Sequence, residues 1–474
     1  MNNSNDSSST EQPESLGTTT GLTSTQCYVV LVVAFLGWMF AGVQMSITSI
    51  GMRSAAIDVL SRVGTIDIEK FNEFNSVLQR EGKGSKPEDV LPPEDAKLLQ
   101  SWRASALQWF AFYQCAFLFG AAAGGLVFGR FGDRVGRAKA MAASILCYSV
   151  ISGLTYFVQS PMQLLVLRFA ACMGIGGMWP NGVALVSEVW SNMSRPMVAG
   201  IIGTSANVGI FLMATVARQY VITPSDWRWV MLVGASTVVL GLFSLAYVPE
   251  SPRWLATRGE PDDDDKPAAP TAEVFRSPFL KITAVGILLA TIPLAGGWGS
   301  ANWMIPWAGE AGETASPPMP ELKAQVLQAR SFTGMVGSLL GGWIASFVGR
   351  RRTYFVVSLG ALFCAQYAFW FTVPTDPSFL YWVAALGFFS GIYFGWLPLF
   401  LPELFPTRVR STGAGVSFNF GRILTAVTVF ATGALKDVFG GDYAQIGRVT
   451  SLIFAVGMIL IWFAPDTSDK QLED

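Results

Sequence analysis

The chain has 474 residues and a net charge of −1; 51% of its residues are hydrophobic and only 14% are charged, with 16 Trp and 34 Phe. A soluble domain carries about 25% charged residues, and a larger core does not remove that many, so lipid must solvate much of this chain. Soluble enzymes, secreted domains and nucleic-acid binders are set aside on that ground.

Residues 1–26 are rich in Ser, Thr and Asn and hold neither Lys nor Arg. This predicts a disordered tail and not a secretory signal, whose start is basic. Apolar runs follow at about 27–50, 105–128, 139–158, 162–187, 197–219, 229–248, 279–303, 328–348, 353–373, 379–402, 412–433 and 447–464. Each is long enough to cross a bilayer as a helix of about 20 residues. The expected fold is an all-α membrane protein with twelve transmembrane helices. An N-terminal bundle of six, 27–250, carries an insertion at 51–104; a linker, 251–278, leads to a second bundle, 279–465, and a short tail, 466–474. The insertion holds charges of both signs and reads either as a small helical cap or as a tolerated insertion. The acidic run Asp262 to Asp265 reads as solvated linker.

Cys27, Cys115, Cys147, Cys172 and Cys364 lie in apolar runs without metal-ligand spacing and read as small packing residues. With no histidine, the commonest proton shuttle and metal ligand is missing. No metal or cofactor is expected, and proton coupling would need a carboxylate. Gly174-Ile-Gly176-Gly177 lies inside an apolar run, where such glycines serve close helix packing.

Twelve spans put both termini on one face. The short loops on that face hold more than twice the Lys and Arg of the short loops opposite, which predicts cytoplasmic termini and a multi-pass protein of an inner or cytoplasmic-type membrane. The two halves also repeat each other, as transporter halves do. After the second span the chain reads Gly129-Arg-Phe-Gly-Asp133-Arg134-Val-Gly136-Arg137, and after the eighth Gly342-Trp-Ile-Ala-Ser346-Phe-Val-Gly349-Arg350-Arg351. Glu188, Arg195 and Gly200 recur at equal intervals as Glu403, Arg410 and Gly415.

These residues resemble the major facilitator superfamily. The Gly129 to Arg137 segment is similar to its loop 2–3 signature, Glu403 to Arg410 to its loop 10–11 pattern, and Pro249-Glu-Ser-Pro-Arg-Trp-Leu255 to the segment closing its sixth helix. The last occurs in sugar porters, organic-ion transporters and aromatic-acid symporters, so it marks a region of the superfamily and not a substrate. The resemblance implies two pseudo-symmetric six-helix bundles. It also implies a cytoplasmic gate whose carboxylates and arginines pair when the central site opens outward. The matching positions are Gly129, Asp133, Arg134, Gly136, Arg137, Glu188 and Arg195 in the N half, and Gly349, Arg350, Glu403 and Arg410 in the C half. Ser346 replaces the second motif's Asp, so the C-half gate is expected to be the weaker. The competing reading is that these charges only follow the positive-inside rule and cap helices.

All acidic residues fall in tails, loops or helix ends, while Arg168 and Arg422 fall inside spans. A charge at bilayer depth costs at least about 2.5 kcal/mol, so each needs a partner or a wet cavity. The first span resembles the aromatic-acid symporter first helix, except that Ala41 and Gln44 stand where that helix carries acids; symport through those positions is in doubt. Gln44 is placed to hydrogen-bond Arg168. The interval that carries Glu188 onto Glu403 carries Asn207 onto Arg422, so a midplane Arg facing a midplane Asn is expected as a carboxylate fork. The alternatives are a structural Arg168 and an Arg422 bonded to carbonyls at a helix break. Trp179, Asn181, Trp298, Asn302, Tyr393 and Trp396 gather on spans that line the cavity in this superfamily, while Trp303 and Trp307 read as interface-belt residues.

The sequence therefore predicts a secondary transporter, symporter or uniporter, of a small organic solute by alternating access, with an organic anion favoured. The alternatives are a sugar or other neutral polyol, and a transporter-like receptor that binds without transport. Expected partners are the small-molecule substrate, the lipid bilayer and no nucleic acid; the expected state is a monomer, with an unidentified partner at 51–104 left open.

Overall fold

In the computed structural model the described residues are 22–81, 87–190, 195–257, 272–406, 409–434 and 442–467. Residues 1–21 of the expected N-terminal tail, half of the linker (258–271) and the last seven residues lie outside them, and the helix already begins at Ser24, inside the expected tail. Twelve helical segments are long and apolar enough to cross a membrane. In the first half these are α1 (Ser24–Arg62), α4 (Pro93–Val135), α5 (Arg137–Thr155), α6 (Pro161–Val189), α7 (Arg195–Gln219), and α8 (Trp229–Ser236) with α9 (Val238–Tyr247) as one span. Two cap helices, α2 (Ile68–Glu81) and α3 (Pro87–Val90), stand between α1 and α4, and the short α10 (Pro252–Thr257) follows α9.

The second half starts with α11 (Leu280–Leu294), which continues through a π-helical turn at Ala295–Ser300 into α12 (Met304–Glu313). Gly296, Gly297 and Gly299 make up half of that turn, as the irregular backbone tolerated inside transporters leads one to expect. There follow α13 (Leu322–Val348), α14 (Arg350–Phe371), α15 (Pro377–Glu403), α16 (Arg410–Ala434), and α17 (Tyr443–Thr450) with α18 (Ile453–Leu460). The bundles meet along two seams, α4 against α16 and α7 against α13. Bulky apolar side chains such as Phe347, Tyr381 and Phe371 point outward at 76%, 75% and 72% exposure, a perimeter suited only to lipid.

Within each bundle small residues set the helix spacing. A Cβ on Gly176 would sit 1.9 Å from the Ala121 carbonyl oxygen, and one on Gly337 2.2 Å from that of Phe388. The packing reading of the Gly174 to Gly177 run therefore holds.

Two apolar runs understate their helices. α1 continues to Arg62, twelve residues past the apolar stretch, and α4 begins at Pro93. The polar residues of these extensions are tolerated because they carry a second small core outside the membrane. Ile57 and Leu60 of α1 meet Phe71, Phe74 and Leu78 of α2 and Leu99 and Trp102 of α4. Phe74 stacks on Trp102 at 6.0 Å between ring centres. The described residues of 51–104 fold as a helical cap. The face it covers is called the cap face below, and the opposite one the termini face.

Candidate transport pathway and gates

On the termini face, α4 turns into α5 through Gly136 (φ +117°), and α13 turns into α14 through Gly349 (φ +92°). Only glycine takes these angles without strain, so each repeated motif is first a turn that lets two spans meet. Glu250 sits against the first turn: its Oε1 accepts from the backbone N–H of Ala138 and of Ser251, both at 3.0 Å, so it caps the N-terminus of α5. Trp254 Nε1 donates to the Asp133 carbonyl at 2.9 Å. The Pro249 to Leu255 segment thus clamps the loop 2–3 motif, a role sequence reasoning did not give it.

Arg137 and Arg350 hold carboxylates of their own bundle. Arg137 bonds Asp133, which is 66% exposed, and its Nε lies 3.8 Å from Glu188. Arg350 grips Glu403 with Nε at 3.1 Å and Nη2 at 2.9 Å, and donates to the Ala345 carbonyl at 2.8 Å. Thr467 adds a 2.6 Å bond to Glu403, and Trp396 Nε1 reaches the Arg350 carbonyl at 3.0 Å. This two-pronged buried pair is tighter than its N-half counterpart, contrary to the expectation from Ser346, whose hydroxyl is only 3.5 Å from Arg350. Gly129 and Arg134 lie on the surface side of α4, and Arg410 is half-buried at the start of α16. The side chain of Arg195 lies outside the described residues.

The cap face is closed by a network that sequence reasoning missed, and it crosses between the bundles. Arg53 of α1 lies 2.8 Å from Glu313 and 3.6 Å from Glu310 of α12. Arg103 of α4 lies 2.8 Å from Glu310 and donates to Asn75 of the cap at 2.9 Å. Lys323 of α13 donates to the Ile222 carbonyl at 2.6 Å and to Ser54 of α1 at 3.1 Å. The available signal was the Glu310/Glu313 pair at i, i+3 ending one span, with Arg53 and Arg103 flanking the insertion; placing all four in loops hid it.

Between the gates, Arg422 of α16 is 6% exposed. Its Nη1 donates to the Ala121 carbonyl of α4 and to Asn419 Oδ1, both at 3.2 Å, and its guanidinium lies 4.7 Å from the Phe418 ring centre. No carboxylate pairs with it among the described residues. Asn207 does not face it: its amide donates to Ser338 across the α7–α13 seam at 3.1 Å, so the expected fork is divided between two seams. Arg168 is fully buried, with Nη2 donating to Thr48 Oγ1 at 2.6 Å and to the Gln44 carbonyl at 3.2 Å, while its Nε and Nη1 find no partner. The Gln44 side chain turns instead to Tyr148 and Ser152 of α5. A third intramembrane arginine was passed over because it stands only two residues inside the eighth apolar run, where it read as a helix end; α13 begins at Leu322, six residues before that run, and so places it in the third turn. Arg330 is half-buried, with Nη1 buried and unpartnered.

Asn302 of the α11–α12 span donates to Gln114 of α4 at 2.7 Å, leaving Asn302 Oδ1 and Gln114 Nε2 buried without partners. Trp298 packs on Phe117 across the same seam at 4.2 Å, and the half-buried Trp179 packs on Trp38 at 4.9 Å. The other expected contacts serve their bundles. Asn181 donates to Phe128 and Gly177 carbonyls, Tyr393 hydroxyl bonds Ser358, and Trp396 braces Arg350. Trp303 is no belt residue: it is fully buried and donates to the Gly299 carbonyl. Trp307 packs between Phe369 and Phe379.

A family model for the Major Facilitator Superfamily matches residues 27–429. Among similar curated proteins, the cis,cis-muconate transport protein of Acinetobacter baylyi is 28% identical over 352 residues, covering 71% of this chain and 82% of that protein. The putative niacin/nicotinamide transporter NiaP of Bacillus subtilis is 27% identical, over 75% and 86%. Among solved structures, the xylose transporter XylE from E. coli in a partially occluded inward open conformation aligns with a TM-score of 0.64 at 15% identity, covering 95% of this chain and 100% of that one. Twelve spans in two repeated bundles and this match across most of the length make the chain a membrane transporter of the Major Facilitator Superfamily.

Proposed function

We propose that this transporter carries a small carboxylate-bearing solute by alternating access, with its termini in the cytoplasm. The observation that supports it most is Arg422, a guanidinium inside the membrane held only by neutral acceptors and an aromatic face. A cation at this depth marks a substrate path more often than not, its carbonyl and amide partners leave its charge unneutralised, and a carboxylate fits its fork. Arg168 and Arg330 add to the positive interior. Gln114 and Asn302, with their unused amide atoms, and Trp298 and Trp179 supply polar and planar surface for the rest of the solute. Names of relatives that refer to muconate and niacin agree with this chemistry. The Lys and Arg bias of the loops supports cytoplasmic termini, and on that reading the cap face, closed by ion pairs across the bundles, is the outer one.

The test is uptake by proteoliposomes of cis,cis-muconate, niacin and xylose, with Arg422→Ala beside the wild type. The proposal expects carboxylate uptake that falls at least tenfold in the variant, since hydrogen bonds to charged groups are worth about 1.5–3 kcal/mol. Undiminished carboxylate uptake by Arg422→Ala sinks it. Xylose uptake in place of carboxylate uptake would favour the neutral-solute reading, for which the Gln114–Asn302 amide pair is the observation.

A further inference from the structure

The cap-face network divides its charges by bundle. Both guanidiniums, Arg53 and Arg103, stand on the N-terminal bundle, and both carboxylates, Glu310 and Glu313, stand on α12 of the C-terminal bundle. Alternating access requires the bundles to part here, and that motion separates every one of these ion pairs at once. The two halves are then left unequal. The C-terminal bundle carries a cation of its own at this face, Lys323 of α13, which loses its Ser54 and Ile222 acceptors in the same motion. Among the described residues of the N-terminal bundle no acid pairs with either arginine. Asp58, the nearest acid along α1, is already held by Arg228 at 2.6 Å, Arg62 at 3.1 Å and Trp227 at 3.0 Å. Arg103 retains the neutral Asn75 oxygen, and the cap carboxylates Glu69, Glu73 and Glu94 are exposed, with no ion pair to either arginine among the described residues.

From this we propose that Arg53 and Arg103 form an outer loading site for a carboxylate, vacated by Glu313 and Glu310 when the cap face opens. The inference rests on the anionic-substrate reading. The arriving solute takes the place that the C-terminal bundle's carboxylates gave up, which offsets the lost pairs and favours the open state when substrate is present. As the bundles close again, Glu310 and Glu313 compete for the same guanidiniums and drive the solute inward toward the seams. The network is a lock in one half of the cycle and a binding site in the other.

An exchange of partners tells a lock from a loading site. Arg53→Gln and Arg103→Gln each remove one guanidinium, whereas Arg53→Glu combined with Glu313→Arg rebuilds the ion pair with the cation on the other bundle. The readout is the external half-saturation concentration for cis,cis-muconate uptake by proteoliposomes, separated from the maximal rate. The proposal expects a rise of about tenfold in each single variant and no recovery in the exchanged pair. Arg53→Lys, which keeps the charge without the fork, is expected to give a smaller rise. Half-saturation returning to the wild-type value in the exchanged pair overturns the loading site and leaves only a lock. Wild-type protein that carries neither muconate nor niacin overturns the anionic reading and this inference with it; Arg422→Ala losing uptake while both single variants keep wild-type half-saturation overturns this inference alone.

Discussion

The two faces of this transporter use similar charges in opposite ways. At the cap face, Arg53 and Arg103 reach across to Glu310 and Glu313 of the other bundle. At the termini face, Arg137 with Asp133 and Glu188, and Arg350 with Glu403, hold partners of their own bundle. The first arrangement fixes how the bundles stand relative to each other, and the second fixes the inside of each bundle. A change in the first should therefore alter which state is populated, while a change in the second should alter stability.

The largest expected effect is on Glu403. Its carboxylate is 3% exposed, holds Arg350 by two bonds and accepts from Thr467. Glu403→Gln removes the charge that Arg350 grips by two bonds, and breaking a buried pair costs up to about 3–5 kcal/mol. A thermal melt of the purified protein should show a clear drop, with no gain in access from the cap face. A melt unchanged from wild type would mean that Arg350 finds another acceptor and that the termini-face pair is not what holds α14 to α15.

Next in size is Glu313→Gln. Its lost bond is charge-assisted but only partly buried, with the Glu313 side chain 29% exposed, worth about 1.5–3 kcal/mol at most. That is a factor of about 10 or more in the balance between closed and open cap faces. Ser54→Cys places a thiol beneath the network, where Ser54 is 1% exposed. Its labelling by a membrane-impermeant reagent should rise about tenfold when Glu313→Gln is added, while the melting temperature stays nearly constant. Labelling that does not change would mean that the bundles are held together elsewhere, and the contrast between the faces would fail.

The twelve spans and the repeat were legible because they rest on composition and on glycines. Hydrophobic length is a property of each segment alone, and the turns at Gly136 and Gly349 need a backbone angle that no other residue adopts easily. The site was legible only in part. Arg422 stood out because it lies near the middle of its apolar run. Arg53, Glu310 and Glu313 did not, because the helices run on past their apolar stretches and the hydropathy boundary classed them as loop; Arg330, two residues into its apolar run, read as a helix end although α13 begins at Leu322. The Asn207–Arg422 fork failed for a different reason. Pseudo-symmetry maps α7 onto α16, and equivalent helices of the two halves lie on different seams, so symmetry-matched residues need not meet.

The smallest effect should come from Asp133, in the motif by which the family resemblance was recognised. Its side chain is 66% exposed, and exposed ion pairs contribute about 0–1 kcal/mol. What Asp133 contributes to the turn runs through its backbone, since its carbonyl, and not its carboxylate, accepts from Trp254. Asp133→Asn should leave the melt within about 1 kcal/mol of wild type, whereas Trp254→Phe removes the indole bond from α10 to this turn. A transport rate lost in Asp133→Asn with stability intact would show that the carboxylate works in a state other than this one, pairing across the bundles when the cap face opens. A rate unchanged would leave the motif as the turn that Gly136 makes.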